Sequence, residues 1–163
     1  MKNNRLYSEL DGTDRQILSR LQEDGSISTA QLADALSLSV TPCWRRLRKL
    51  EDEGFITGFQ ANLDRRRMGF GLLGFVQIDF DIHTDHDAPA QFELAIRQCP
   101  EVLSCHKVTG QADYMLVVVS EDLDAYGVFV DTMLKMLPGV TGIHSTLSLK
   151  EVKASSRVPV RGV

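Results

Sequence analysis

Cysteine is scarce in this chain of 163 residues, aromatic residues make up only 7%, and neither sign of charge dominates. The three cysteines, Cys43, Cys99 and Cys105, are an odd number without the paired spacing of a zinc module. A disulfide scaffold and a zinc site are thereby excluded, and the thiols are expected to be reduced, two or more of them in a core. No apolar run approaches the roughly 20 residues that cross a bilayer. The opening Met1-Lys2-Asn3-Asn4-Arg5 is followed by no apolar stretch, so no secretory leader and a cytoplasmic location are expected. No nucleophile–base pair and no metal-ligand spacing emerges, so no catalytic residue, metal or cofactor is expected.

What is present is a packed-core composition, 43% hydrophobic and 25% charged. The length suits one medium domain or two small ones. The net charge of −4 is unevenly spread. Residues 1–67 hold 11 Lys/Arg and 10 Asp/Glu, whereas residues 68–163 hold 7 and 12. Within 41–50 there are four cations (Arg45, Arg46, Arg48, Lys49) and no acid. At a Debye length of about 8 Å, remote acids are screened from a phosphate that this patch touches.

The patch lies in a recognisable pattern. A first helix is predicted over 11–23, with Leu10, Ile17, Leu18 and Leu21 as its apolar stripe and Asp24-Gly25 as its end. Ser28 with Gln31 predicts a capping box at the second helix, whose Leu32 and Leu36 face inward. Ser39 is the predicted cap of a third helix, with Pro42 early, where a missing N–H costs little. Val40, Cys43, Leu47 and Leu50 form its predicted buried side. Thr41, Trp44, Arg45 and Arg48 then project outward and could reach base edges, while Arg46 and Lys49 flank them and suit phosphates. Gly54 ends the helix, and 55–61 reads as a short extended segment, a small wing. This is a helix-turn-helix, so double-stranded DNA is the predicted partner.

Residues 64–71 read as a linker whose Arg65-Arg66-Arg67 either touches phosphate or keeps the connection solvated. Gly69-x-Gly71-x-x-Gly74 matches a dinucleotide fingerprint. That fingerprint needs a helix after it, and the alternation of Val76, Ile78, Phe80 and Ile82 with polar residues predicts a strand instead, so nucleotide binding is rejected. Further strands are predicted over 102–109, 113–120 and 140–152, and helices over 88–98 and 123–136. The order is β-α-β-β-α-β, a ferredoxin-like domain. The fold class is therefore α+β, a winged-type helix-turn-helix over 1–63, then the linker, the ferredoxin-like domain over 72–155 and a tail over 156–163. A four-stranded sheet with helices on one face needs a cover on the other, most simply a second copy, so a homodimer is expected.

These marks resemble the Lrp/AsnC, or feast/famine, family of regulators. The resemblance spans about 9–155 and rests on Leu10-Asp11-x-x-Asp14-x-x-Ile17-Leu18, Leu32-Ala33, Ser39-x-x-x-Cys43-x-x-Arg46-Leu47-x-x-Leu50-Glu51-x-x-Gly54-x-Ile56, Pro100-Glu101-Val102-Leu103 and Thr109-Gly110-x-x-Asp113-Tyr114. It implies transcription regulation, assembly of dimers to tetramers or octamers, and a small effector, usually an amino acid. It implies an effector pocket at the loop Gly110-Gln111-Ala112-Asp113-Tyr114. The family usually carries an acidic residue after Thr-Gly, where this chain has Gln111-Ala112. The chemistry agrees: Gly110 lets backbone N–H groups approach a carboxylate, and Asp113 can pair with an ammonium. The polar stripe His144, Thr146 and Ser148 could add contacts. A second reading stays open, in which Gly110 only makes a turn and Asp113 pairs structurally. Thr41-Pro42-Cys43-Trp44 also resembles members that respond to cysteine, one candidate effector.

Two other functions compete. Sirohaem decarboxylases resemble this architecture and use histidines and arginines. Here His83 and His86 sit in an acidic loop and His106 and His144 on predicted strands, and the basic helix has no use in such an enzyme. A sensing module without operators would likewise not need that helix.

Overall fold

A computed structural model describes residues 10–81 and 87–162. The chain divides into two compact units, one of residues 1–62 with 154–163 and one of 63–153.

The first unit has three helices, α1 (Gly12–Glu23), α2 (Thr29–Ala35) and α3 (Val40–Asp52). Local chemistry starts each of the first two. Asp11 caps α1 by accepting from Asp14 N–H at 2.8 Å. Ser28 and Gln31 form the expected reciprocal capping box on α2. Ser39 departs from expectation. It occupies the cap position of α3, but its hydroxyl makes no capping bond. Between α2 and α3 the chain turns through Ser37 in the left-handed region, φ 53°. Leu10, Ile17, Leu32, Ala33, Cys43 and Leu50 form the core, with Leu18, Leu21, Leu36 and Leu47 packed around it.

Val40 corrects the predicted inner face of α3: it is 51% exposed. Core contact along α3 begins at Cys43, so the helix start stands clear of the other two helices. Phe55 and Ile56 pack on the core, but 56–64 form no strand, so the expected wing is irregular chain. The segment read as a tail, 156–163, is tied to α1. Val158 exchanges two hydrogen bonds with the Gln22 side chain (2.8 and 2.6 Å), and Arg157 donates to Glu23 O.

The second unit opens with a hydrogen-bonded turn over 64–71, the segment read as a linker. There Arg65 donates to the carbonyls of Phe70 and Gly71. The sheet contains β1 (Leu72–Phe80), β2 (Val102–Lys107), β3 (Tyr114–Ser120) and β4 (Val140–Leu147), in the order β2-β3-β1-β4 with every pair antiparallel. Helices α4 (Ala88–Arg97) and α5 (Leu123–Thr132) connect them. The predicted last helix ends early at Thr132, and Leu134–Met136 turns as a 3-10 segment. Gly74 lies inside β1, so the glycine fingerprint runs into a strand.

Alternation sorts the sheet's faces. Val76, Ile78, Phe80, Tyr114, Leu116 and Val118 pack with Phe92, Ile96, Tyr126 and Leu134 of the helical layer. Phe75, Gln77, Met115, Val117, His144 and Thr146 lie on the other face, as the register pairs them. At the sheet's end, Gly139 takes φ +83°, and a Cβ there would stand 2.3 Å from the Phe80 ring. Only glycine meets both conditions. Strand residue Ile82, with His83 and His86, lies outside the described residues.

Candidate functional site

On α3 the outward face is set by helical spacing from Cys43 and Leu50, which are fully buried. Thr41 and Arg45 are exposed and Trp44 is half exposed. The Arg48 guanidinium lies 5.7 Å from the centre of the Trp44 ring, a cation–π distance that aligns both side chains along the helix. Arg48 also pairs with Glu51 at 2.8 Å, and Lys49 with Glu53 at 3.8 Å. Exposed pairs of this kind contribute about 0–1 kcal/mol, so either cation can exchange its partner for a phosphate. Arg45 makes no ion pair among the described residues.

Arg46 is different and corrects the phosphate role expected for it. Its Nη1 bridges Asp11 (2.6 Å) and Asp14 (2.7 Å) at the start of α1. Asp14 is 3% exposed, a buried carboxylate that needs this partner. The Asp11 carboxyl is held below its ordinary 3.8, first by the Asp14 backbone N–H and then by Arg46. The same two aspartates push the Arg46 guanidinium up. The cation cluster read as one patch is therefore an outward group (Arg45, Arg48, Lys49) and one inward clamp. The two aspartates were visible in the sequence, but their partner lies 32 and 35 residues away, beyond any local spacing rule.

The loop between β2 and β3 is the second candidate site. Gly110 has φ +123°, and a Cβ there would meet no atom within 4 Å, so the glycine serves backbone conformation rather than crowding. Asp113 Oδ2 accepts from Phe80 N–H at 2.8 Å, and Asp113 N–H donates to Ile78 O at 3.0 Å. Asp113 thus ties the start of β3 to the end of β1. Its Oδ1 carries no hydrogen bond among the described residues. Gln111 is exposed and Ala112 half-buried.

The other residues expected here do not gather at the loop within one chain. Tyr114 is 2% exposed and points to the helical layer, where its ring meets Phe80 and Phe92 and its hydroxyl donates to Glu93 at 3.2 Å. Burial, with Glu93 beside it, pushes its phenol up to about 12. His144 and Thr146 lie on the opposite face of the sheet. His144 Nε2 is 3.2 Å from Asp79 Oδ2. Thr146 pairs with Phe75 and Ser148 N–H bonds to Leu73 O, five residues along β1 from Ile78. At about 3.3 Å per residue the stripe runs some 16 Å away from the loop.

Among the described residues no group of three or more His, Cys, Asp or Glu could hold a metal ion. No helix among them is long and apolar enough to cross a membrane.

Comparison with known proteins matches both halves. A model of a winged helix-turn-helix DNA-binding domain fits residues 10–57, and one of the Lrp/AsnC ligand binding domain fits 74–158. The chain is 43% identical over 153 residues to the Bkd operon transcriptional regulator of Pseudomonas aeruginosa, covering 94% of this chain and 99% of that one. It is 38% identical to the leucine-responsive regulatory protein of Escherichia coli, covering 94% and 93%. The crystal structure of a transcriptional regulator of Neisseria meningitidis in complex with L-methionine superposes with a TM-score of 0.89 at 36% identity, covering 93% and 97%.

Proposed function

Since the chain belongs to the Lrp/AsnC family and is a DNA-binding transcriptional regulator, we propose that it reads its operator with the projecting start of α3 and answers to a free amino acid. Thr41, Trp44, Arg45 and Arg48 meet base edges in the major groove, and Ser39 and Lys49 hold phosphates. The observation that carries this reading is the set of Trp44, Arg45 and Arg48 facing outward at a helix start that stands clear of its own core, since recognition helices read with their N-terminal residues. The Ser39 hydroxyl, free of a capping bond, is available to the backbone of DNA.

The experiment is a binding titration on a fragment upstream of the chain's own gene and on random DNA, over a salt series. Arg45→Ala and Arg48→Ala are each expected to weaken operator binding by about 1–3 kcal/mol and to relax specificity. Lys49→Ala is expected to weaken both DNAs alike and to lower the salt slope by about 0.9. Unchanged operator affinity in Arg45→Ala and Arg48→Ala overturns the assignment.

The effector reading uses the loop 110–113. Backbone N–H groups beside Gly110 receive a carboxylate, and Oδ1 of Asp113, which carries no hydrogen bond among the described residues, receives an ammonium. The L-methionine complex of the Neisseria relative supports the ligand class. Asp113→Asn separates the two roles of this residue, because an amide oxygen still accepts from Phe80 N–H while the charge is gone. Calorimetric titration is expected to show an amino acid whose affinity falls in Asp113→Asn; equal affinity returns Asp113 to a purely structural role. Two copies pair through the face bearing Phe75 and Val117, and dimers assemble further. The chain acts in the cytoplasm by binding rather than by catalysis. Expression with haem precursors is expected to yield no Soret band.

A further inference from the structure

The helical side of the sheet holds a cleft that the operator and effector assignments leave unused. It lies between α4 and the edge strand β2 and is open to solvent, with about 510 Å3 of space. That is within the roughly 300–1,000 Å3 of small-molecule sites. A cleft forms here because β2 is an edge strand whose pairing with β3 slips between Val102 and Ser104. The slip turns Leu103 outward to the mouth, 60% exposed, while Tyr114 closes the floor.

Charge in the cleft is of both signs, and no ion pair joins its members among the described residues. Glu93 on α4 accepts from the Tyr114 hydroxyl at 3.2 Å and has no cationic partner among the described residues. Lys107 on β2 places its ammonium 5.7 Å from the centre of the Tyr114 ring and has no carboxylate partner among them. Arg97, in the last turn of α4, has none either. Some exposed charged residues find partners on their own helix, as Arg48 does with Glu51 and Lys135 with Asp131, and others, such as Arg45, pair with none among the described residues. A small anion would satisfy Lys107 and Arg97 but meet Glu93; a small cation would face the reverse. A zwitterion satisfies both. Cys105, half-buried on the wall, has its thiol pushed up by burial and then by Glu93, so it stays neutral and presents an apolar surface.

We propose that the α4–β2 cleft is a ligand site for a free α-amino acid, distinct from the 110–113 loop. The ligand's carboxylate meets Lys107 and Arg97, its ammonium meets Glu93, and its side chain lies on Cys105 and Leu103. This site stands on its own cavity and charges, and does not require the loop to bind anything.

Cys105 is the reporter. Cys43 and Cys99 are buried, so Cys105 is the accessible thiol. The full chain is alkylated with iodoacetamide and analysed by mass spectrometry, alone and with each proteinogenic amino acid at saturating concentration. At least one is expected to slow Cys105 alkylation about tenfold, a protection equal to about 1.4 kcal/mol. The deaminated acid and the decarboxylated amine of that amino acid are expected not to protect. Lys107→Gln and Glu93→Gln, both checked for folding by circular dichroism, are each expected to lose protection, while Asp113→Asn keeps it. Protection by no amino acid, or equal protection by the deaminated acid, overturns the site. A calorimetric heat that vanishes in Asp113→Asn, with Cys105 never protected, leaves the loop reading standing and removes the cleft alone.

Discussion

At the scale of single residues, the clamp between Arg46, Asp11 and Asp14 decides how the DNA-reading helix is held. Without Arg46, Asp14 keeps a buried charge with no counterpart. Arg46→Ala is therefore expected to lower stability by about 1–3 kcal/mol in a denaturant titration, more than Arg45→Ala on the exposed face. The clamp also gives acid sensitivity. The folded-state value of Asp11 lies below its ordinary 3.8, so its contribution is complete above 3.8 and is lost as pH falls through the depressed value. Melting followed as pH is lowered through and below 3.8 is expected to show this loss in the wild type and less of it in Asp11→Asn. Ser37 is the opposite case, a residue that costs stability. Its left-handed φ of 53° carries a penalty that glycine lacks. Ser37→Gly is expected to stabilise by up to about 1 kcal/mol, and Ser37→Val to destabilise, both read as a shift in melting temperature.

Among the elements, β3 and α4 are linked by Tyr114, which contributes to the alkaline response of the second unit. Its folded value of about 12 stands above the ordinary 10, so the folded chain keeps a proton that the unfolded chain releases. The contribution is full below pH 10 and is lost as pH rises towards 12. Stability measured across that window is expected to fall, and Tyr114→Phe is expected to flatten the slope. Alpha helix α1 is held by a different device, the extended segment around Val158. Gln22→Ala removes both of its hydrogen bonds, and limited proteolysis is then expected to cleave near 154–160 faster. Much of this level was legible in advance. Caps, breakers and periodicity located every helix and strand of the described residues, because those signals lie within four residues of each other. The errors fell where packing overrode them: Val40 at a helix start beyond the core, the wing that formed no strand, and the tail whose partner Gln22 is 136 residues away in sequence.

For the whole molecule, the proposed pairing of two copies through the second face of the sheet can be tested at Phe75. Phe75 is 41% exposed there and Val117 half-buried, beside Thr146 and Gln77. Phe75→Glu is expected to convert a species of twice 18.2 kDa into a monomer by sedimentation and to weaken operator binding, since two half-sites then bind separately. At this scale the fold class, the order of elements, the family and a cationic, amphipathic third helix were legible in the sequence alone, because each is written in periodicity, capping and short-range motif. Tertiary structure alone decided that Arg46 clamps α1 while Arg45 faces outward, that Asp113 ties two strands, that Tyr114 and His144 lie on opposite faces of the sheet, and that α4 and β2 part to leave a cleft. These depend on which distant residues the fold brings within hydrogen-bonding reach, and a contact of about 3 Å between residues dozens of positions apart leaves no trace in local spacing.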